Sequence, residues 1–388
     1  MDDLATLAEQ LRTLARHDPN CTVFGANLHG WESEPVDGDE IDAFERDHGV
    51  VLPPSYRRWI AEVGVGAGPF YGLDPLPEDG APGAPFDPST GDPADGTLTL
   101  ADQGCGYRDQ LVLAGPHVGE IWIDLREAGG PFQRWYPSLE AWLTAWLRRS
   151  RAEWLANHLA DGLPPRQADP AFVDACRADA EAVLAGSDDP MLGQYPLPLQ
   201  GLAFAVGALD ALAGELERAE QRFEQAAEAS SEPAAQRALG ACLLGLARDE
   251  PAAVVAATDA GLAADGLWAS TRLKLLRKRR LALDALDRHD EALETLVAIA
   301  DAARNDLFAQ YDLAWVRLLR GEADLAAQAI LGAAEHGVGC DRTAALALRV
   351  EQASAGLLQA LRGDPDGGEA RAEALEAALA ARIPAADA

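Results

Sequence analysis

The chain has 388 residues and a formal net charge of −31, from 63 acidic side chains against 32 Lys and Arg. A field of that sign repels nucleic-acid backbones and anionic lipid surfaces and draws in basic partners, which argues against direct nucleic-acid or membrane binding. The length accommodates two or three domains at roughly 100–200 residues each. The cysteines at 21, 105, 176, 242 and 340 form neither a CxxC motif nor a Cys/His cluster, so neither a disulfide framework nor a structural zinc site is expected.

The opening segment, MDDLATLAEQLRTLARH, carries acids where a signal peptide carries bases, and it is amphipathic where an h-region is continuously apolar. No run approaches the ~18 uninterrupted apolar residues of a membrane span. A cytoplasmic, reducing location is expected. A short amphipathic helix follows, with Ile41, Phe44 and Glu45 on one stretch and Gly49 as its C-cap. Leu52, Pro53 and Pro54 restart the chain at a helix N1 position. Tyr56, Trp59, Ile60 and Val63 then give the i, i+3, i+4, i+7 stripe of a second helix. Gly64, Gly66 and Gly68 end it and allow positive φ before an apolar, strand-like run at Phe70, Tyr71, Gly72 and Leu73. The glycines follow a helix and no Lys succeeds them, so they read as a turn and not as a phosphate-binding loop.

Residues 74–96 form a proline-rich acidic loop that offers Asp74, Glu78, Asp79, Asp87, Asp92 and Asp95 to a cationic partner or to solvent. Beyond it, Gly104-Cys105-Gly106 precedes two strand-like runs, Gln110–Leu113 and Gly119–Asp124, the second carrying Gly119, Glu120, Trp122 and Asp124. Phe132–Leu147 reads as a closing helix, with Ser138 near its start. Trp135, Trp142, Trp146 and Trp154 are spaced as one helical, core-packing face.

Taken together, this order of motifs over about residues 1–150 resembles the SUKH superfamily, the Smi/Knr-like domain of bacterial immunity proteins and fungal cell-wall regulators. The residues that carry the resemblance are Phe44, Glu45, Leu52, Pro53, Tyr56, Gly64, Gly66, Gly72, Gly119 and Trp122, positions that are mainly structural. The resemblance implies an α+β fold, a mixed or antiparallel sheet with flanking helices, and binding of a cognate toxin domain without catalysis.

Proline, glycine and aspartate concentrate at 161–170 and 186–198, around one helix over about 172–184. The expected domains are therefore 1–158, a linker with one helix over 159–198, and an all-helical region over 199–388. The last region is alanine-rich and repeats. Ala219, Ala253, Ala292 and Ala326 recur after turns at the period of tetratricopeptide-like hairpins, which predicts a TPR-like solenoid. Its basic run, Arg272–Arg280, spreads around a helix and reads as charge compensation against acidic neighbours.

Catalysis is not expected. His117, between the two strands, reads as a turn residue, and an enzyme would need it to meet Asp124 or Glu120 in a pocket. No nucleophile elbow accompanies it. No cofactor or metal is implied. The sequence thus leads to an immunity protein that occludes a basic, nucleic-acid-targeting toxin, with Asp74, Glu78, Asp79, Asp87, Asp92, Asp95, Glu120 and Asp124 as partner-binding candidates. A scaffold or adaptor binding two proteins is the alternative.

Overall fold

A computed structural model describes residues 3–77, 83–89, 95–159, 168–186, 188–194, 196–303 and 307–335, and, further on, 354, 357–359, 361–362, 364 and 367–380. The architecture is α+β. Contacts divide the chain into two compact units, 1–209 and 210–388, and the division falls inside one helix. Among the described residues no helix is long and apolar enough to cross a membrane.

The first unit opens with α1 (Leu4–His17), whose Asp3 caps the Thr6 N–H, and which buries Leu7, Leu11 and Leu14. Its end is set by Asp18, a carboxylate with no exposed surface. One Asp18 oxygen accepts from the Thr22 amide at 2.8 Å and the Thr22 hydroxyl at 2.7 Å; the other accepts from the Val23 amide at 3.1 Å and the Trp31 indole at 3.2 Å. That ring of donors satisfies the buried charge and fixes the loop that carries the short α2 (Ala26–His29).

The helices α3 (Gly38–His48) and α4 (Pro54–Glu62) form as the pattern predicts, with Gly49 in the left-handed region as C-cap and Pro54 at N1. Phe44, Leu52, Tyr56, Trp59 and Ile60 are buried, and Glu45 turns back to accept the Leu52 amide at 2.7 Å, closing the corner between the two helices. A two-residue ribbon follows, β1 (Ser33–Glu34) against β2 (Val65–Gly66). Gly64, at φ 112°, is obligatory there, because a Cβ would lie 2.3 Å from the Glu34 carbonyl. Phe70–Leu73, expected as a strand, is instead a turn with Phe70 at φ 55°; only the Leu73 to Gly66 bridge pairs it with the ribbon.

The main sheet is antiparallel in the order β3 (Thr97–Gly104), β4 (Tyr107–Val112), β5 (Ile121–Asp124), β6 (Phe132–Tyr136). The two strand-like runs expected at 110–113 and 119–124 fall on β4 and β5, which pair with Gln110 opposite Trp122. The expected closing helix over 132–147 is corrected at its start: residues 132–136 pair with β5, and α5 (Leu139–His158) begins only after Ser138, whose hydroxyl caps the Ala141 amide. Trp135 therefore belongs to a strand, while Trp142, Trp146 and Trp154 are buried on α5.

Asp109 of β4 lies fully buried, held by the Gln103 amide at 2.6 Å, and burial pushes its carboxyl well above the ordinary range despite Gln103 and the nearby Trp142 indole. The expected linker packs onto α5. Among its described residues are two helices, α6 (Pro170–Leu184) and the short α7 (Pro190–Gln194), where one was expected. Arg151 of α5 meets Asp179 of α6 at 2.6 Å, His17 stacks on Phe172 at 4.1 Å, and Tyr136 donates to Asp189 at 2.5 Å ahead of α7.

The second unit runs from the end of α8 (Leu199–Leu212) through α9 (Leu216–Glu228), α10 (Pro233–Ala247), α11 (Pro251–Leu262), α12 (Ala269–Ala285), α13 (His289–Ala302), α14 (Leu307–Leu319) and α15 (Ala323–Glu335) to α16 (Gly368–Ala380). The turns before α9, α11, α13 and α15 are the same object. Each has one left-handed residue, Gly214, Asp249, Asp287 or Gly321, and the next amide reaches back five residues: Glu215 to Asp210, Glu250 to Gly245, Arg288 to Leu283, Glu322 to Arg317. This turn sets the register of the repeat and corrects one position. Ala219, Ala292 and Ala326 are buried four residues into their helices, but Ala253 is exposed and Val254 takes its place, because Pro251 opens α11 one residue later than the alanine spacing implies.

Two predictions follow from these environments. A carboxyl whose folded pKa is raised keeps a proton that the unfolded chain has lost, so the fold loses stability as pH rises above the ordinary carboxyl range. Asp109→Asn keeps the shape and removes that loss; urea midpoints should show the variant more stable at pH 8 and the difference shrinking towards pH 4. In the repeat turns, Asp249→Gly and Asp287→Gly each relieve a left-handed non-glycine residue and should raise stability by about 0.5–1 kcal/mol in the same assay. Gly214→Asp and Gly321→Asp should do the reverse.

Candidate protein-interaction site

The Phe70–Asp74 turn lies along the open edge of β3. Tyr71 donates its amide to the Asp102 carbonyl at 3.3 Å, and Asp74 donates its own to the Leu100 carbonyl at 2.8 Å. These bonds bring Asp74 and Asp102, far apart in sequence, into one electrostatic neighbourhood. Burial first, and then the Asp102 charge, push the Asp74 carboxyl up to about 6, with Arg108 pulling the other way. Asp102 also accepts the Gly104 amide at 2.6 Å, which shapes the β3–β4 hairpin, and Arg108 pairs with Glu127 at 3.1 Å beside it.

Two exposed aromatic rings belong to the adjoining loops, and Tyr71 lies against Gly104, where a Cβ would fall 2.5 Å from its hydroxyl. Tyr71 is 41 % exposed, and Phe24, 43 % exposed, lies 6.1 Å from it. Leu28, 59 % exposed, belongs to the same loop as Phe24. The two loops are pressed together where Gly25 meets Phe70: a Cβ on Gly25 would fall 1.7 Å from the Phe70 carbonyl oxygen. Phe24 donates its amide to Glu153 of α5 at 3.1 Å. Among the described residues of this unit the non-glycine positions with positive φ are Cys21, Trp31, Phe70 and Cys105, of which Cys21 and Phe70 lie in the two loops that carry Phe24 and Tyr71. Backbone strain retained in one place points to a site whose geometry matters. Exposed rings next to partly desolvated carboxylates accept a guanidinium or ammonium group through charge and ring face together.

The sequence-derived candidates divide. Asp74 is at the centre of this patch. Asp87 and Asp95 are exposed, and Asp87 is spent on an Asx turn to Ser89 at 2.8 Å, which holds its carboxyl below the usual range. Glu78, Asp79 and Asp92 lie outside the described residues. Glu120 and Asp124 are already engaged within the unit. Glu120 takes His117 at 3.1 Å, the Trp122 indole at 3.2 Å and Arg134 at 3.0 Å, beneath an aromatic cluster of Phe86, Trp122 and Phe132; Asp124 is bound by Arg126 at 3.0 Å. His117 thus meets Glu120, but in a bridge shared with an indole and a guanidinium. Phe24, Tyr71 and Asp102 escaped the sequence reading. Exposed aromatics on glycine-flanked loops, Phe24-Gly25 and Tyr71-Gly72, were the available signal.

Neither a protein-family model, nor a curated protein, nor a solved structure matches this chain.

The Asp74 carboxyl should titrate near pH 6 by carboxyl-carbon NMR. Asp102→Asn should lower that midpoint by removing a like charge, and Arg108→Gln should raise it. A midpoint in the ordinary carboxylate range, unmoved by either change, would remove the desolvated pair from the site.

Proposed function

We propose that this chain is a non-catalytic protein-binding protein of the SUKH immunity type, which neutralises a basic, nucleic-acid-targeting toxin by covering its working surface. The observation that carries this reading is the patch of Phe24, Tyr71, Asp74 and Asp102: solvent-facing rings beside carboxylates, on strained loops, in a chain of charge −31. A toxin that grips a nucleic-acid backbone presents Arg and Lys, and an acidic, partly desolvated surface competes for those side chains. The aromatic anchors supply affinity that simple charge cannot, since exposed ion pairs contribute little each. The adaptor reading is supported by a separate feature, the open, largely apolar groove between helices of the second unit.

Purification of the tagged chain from its native host at low salt should recover a basic partner that is released as salt rises. With that partner in hand, calorimetry should show affinity falling with ionic strength and falling again as pH drops from 7 to 5, when Asp74 takes up its proton. Tyr71→Ser and Asp102→Asn should each weaken binding by about tenfold, a loss on the order of 1.4 kcal/mol, without changing the melting temperature by more than a few degrees. A tight complex indifferent to salt, pH and both substitutions overturns the proposal.

A further inference from the structure

Within the second unit the basic run on α12 borders a groove of its own. Two cavities, of about 350 Å³ and 260 Å³, open between α12 and α14 over a floor of α13. They share two residues, Arg280 and Leu296, so they are two ends of one groove. The first end is walled by Leu281, Ile299 and Ala309, the second by Leu293, Val316 and Leu319. Leu281 and Leu319 are 58 % and 47 % exposed, although each sits at a cavity mouth where water gains little from meeting it.

The charges around this groove run against those of the chain. Its lining holds Arg277, Arg280 and Arg320 against Asp284 and Asp312. Arg280 bridges Asp312 at 2.6 Å across the groove and Asp284 at 3.4 Å along its own helix, and Arg320 meets Asp290 at 2.6 Å. These are side chains at 28–35 % exposure, so their guanidinium groups remain reachable from solvent.

We infer that this groove binds an amphipathic peptide segment of a partner protein, in which an acidic residue lies between two apolar ones. The apolar side chains fill the two cavities, and the carboxylate lies on Arg280 between them, with Arg277 and Arg320 to either side. The spacing supports a helical occupant. On α14 the first cavity uses Ala309 and the second Val316, seven residues and about 10 Å of helix apart, which matches positions i and i+7 on the face of a bound helix with the acid at i+3 or i+4. Arg280 meets Asp312 through Nη1 and Asp284 through Nε, so the carboxylate of the bound segment takes the Nη2 edge of the fork and leaves both internal pairs in place. This inference goes beyond the acidic-patch reading and uses none of its residues.

The test is selection of a displayed random-peptide library on the full-length chain, followed by anisotropy measurements with the enriched peptides after fluorescent labelling. Enriched sequences should carry Asp or Glu flanked by large apolar residues three to four positions away on each side. Arg280→Glu should weaken their binding by at least about tenfold, and so should Leu281→Asp, a change at an exposed position that the fold tolerates. Tyr71→Ser, which addresses the other unit, should leave these peptides bound, so failure here and failure of the acidic-patch reading are separately visible. Enrichment of basic sequences, no enrichment at all, or peptides whose affinity survives both groove substitutions overturns the inference.

Discussion

A single buried carboxylate determines how the first unit presents its surface. Asp18 has no contact with solvent, and it is affordable there only because the Thr22 hydroxyl, two backbone amides and the Trp31 indole all point at it. Those donors come from one loop, which is also tied to α5 through the Phe24 amide on Glu153 and Asn157 on the Thr22 carbonyl. Once Asp18 gathers them, Gly25 arrives against the Phe70 carbonyl with no room for a side chain, and the Phe70–Asp74 turn is forced along the edge of β3. The exposed rings of Phe24 and Tyr71 and the carboxylates of Asp74 and Asp102 therefore follow from a contact some distance away in the chain. Removing one donor would leave the buried charge short of partners, a larger effect than loss of an average hydrogen bond.

The cost of the patch is borne by its neighbours. Burial raises Asp74, Asp109, Glu153 and Asp179 together, and in the last two it outweighs an arginine in direct contact, Arg149 at 2.7 Å and Arg151 at 2.6 Å. Carboxyls whose charged form is disfavoured in the folded state make the unit less stable as pH rises through their range. A unit selected for stability alone would replace several of them.

What the sequence made legible was local. The caps at Gly49 and Pro54 fixed helix ends, the stripe of Tyr56, Trp59 and Ile60 fixed a buried face, and two short apolar runs located β4 and β5. The failures were of two kinds. Phe132–Tyr136 carries aromatic residues compatible with either periodicity, and only pairing with β5 makes it a strand; Phe70 is driven out of extended geometry by Gly25, forty-five residues earlier in the chain. The site was half legible for the same reason. Asp74 could be named from an acidic loop, but its partner Asp102 is brought to it by backbone bonds between distant segments, and Glu120 and Asp124 look available until Arg134 and Arg126 are placed beside them. In the repeats, alanine spacing found the hairpins, but the left-handed turn residue was the better ruler, as Val254 shows against Ala253.

The basic run on α12 shows how one short segment serves packing and surface at once. Lys278 turns inward to 8 % exposure near Cys242, whose thiol burial pushes up to about 12 in spite of that cation. Arg279 reaches Asp259 of α11 at 2.8 Å and Thr295 of α13 at 2.5 Å, while Arg280 reaches Asp312 of α14. Consecutive residues on a helix point about 100° apart, so three adjacent cations face four neighbouring helices, α10, α11, α13 and α14, with Arg279 and Arg280 meeting acidic partners on α11 and α14. Arginine suits this better than lysine, because its planar fork can hold two acceptors and still present an edge to solvent. Compensation thus explains why the cations are there, and the apolar cavities on both sides of Arg280 explain why one of them is worth leaving within reach of a partner.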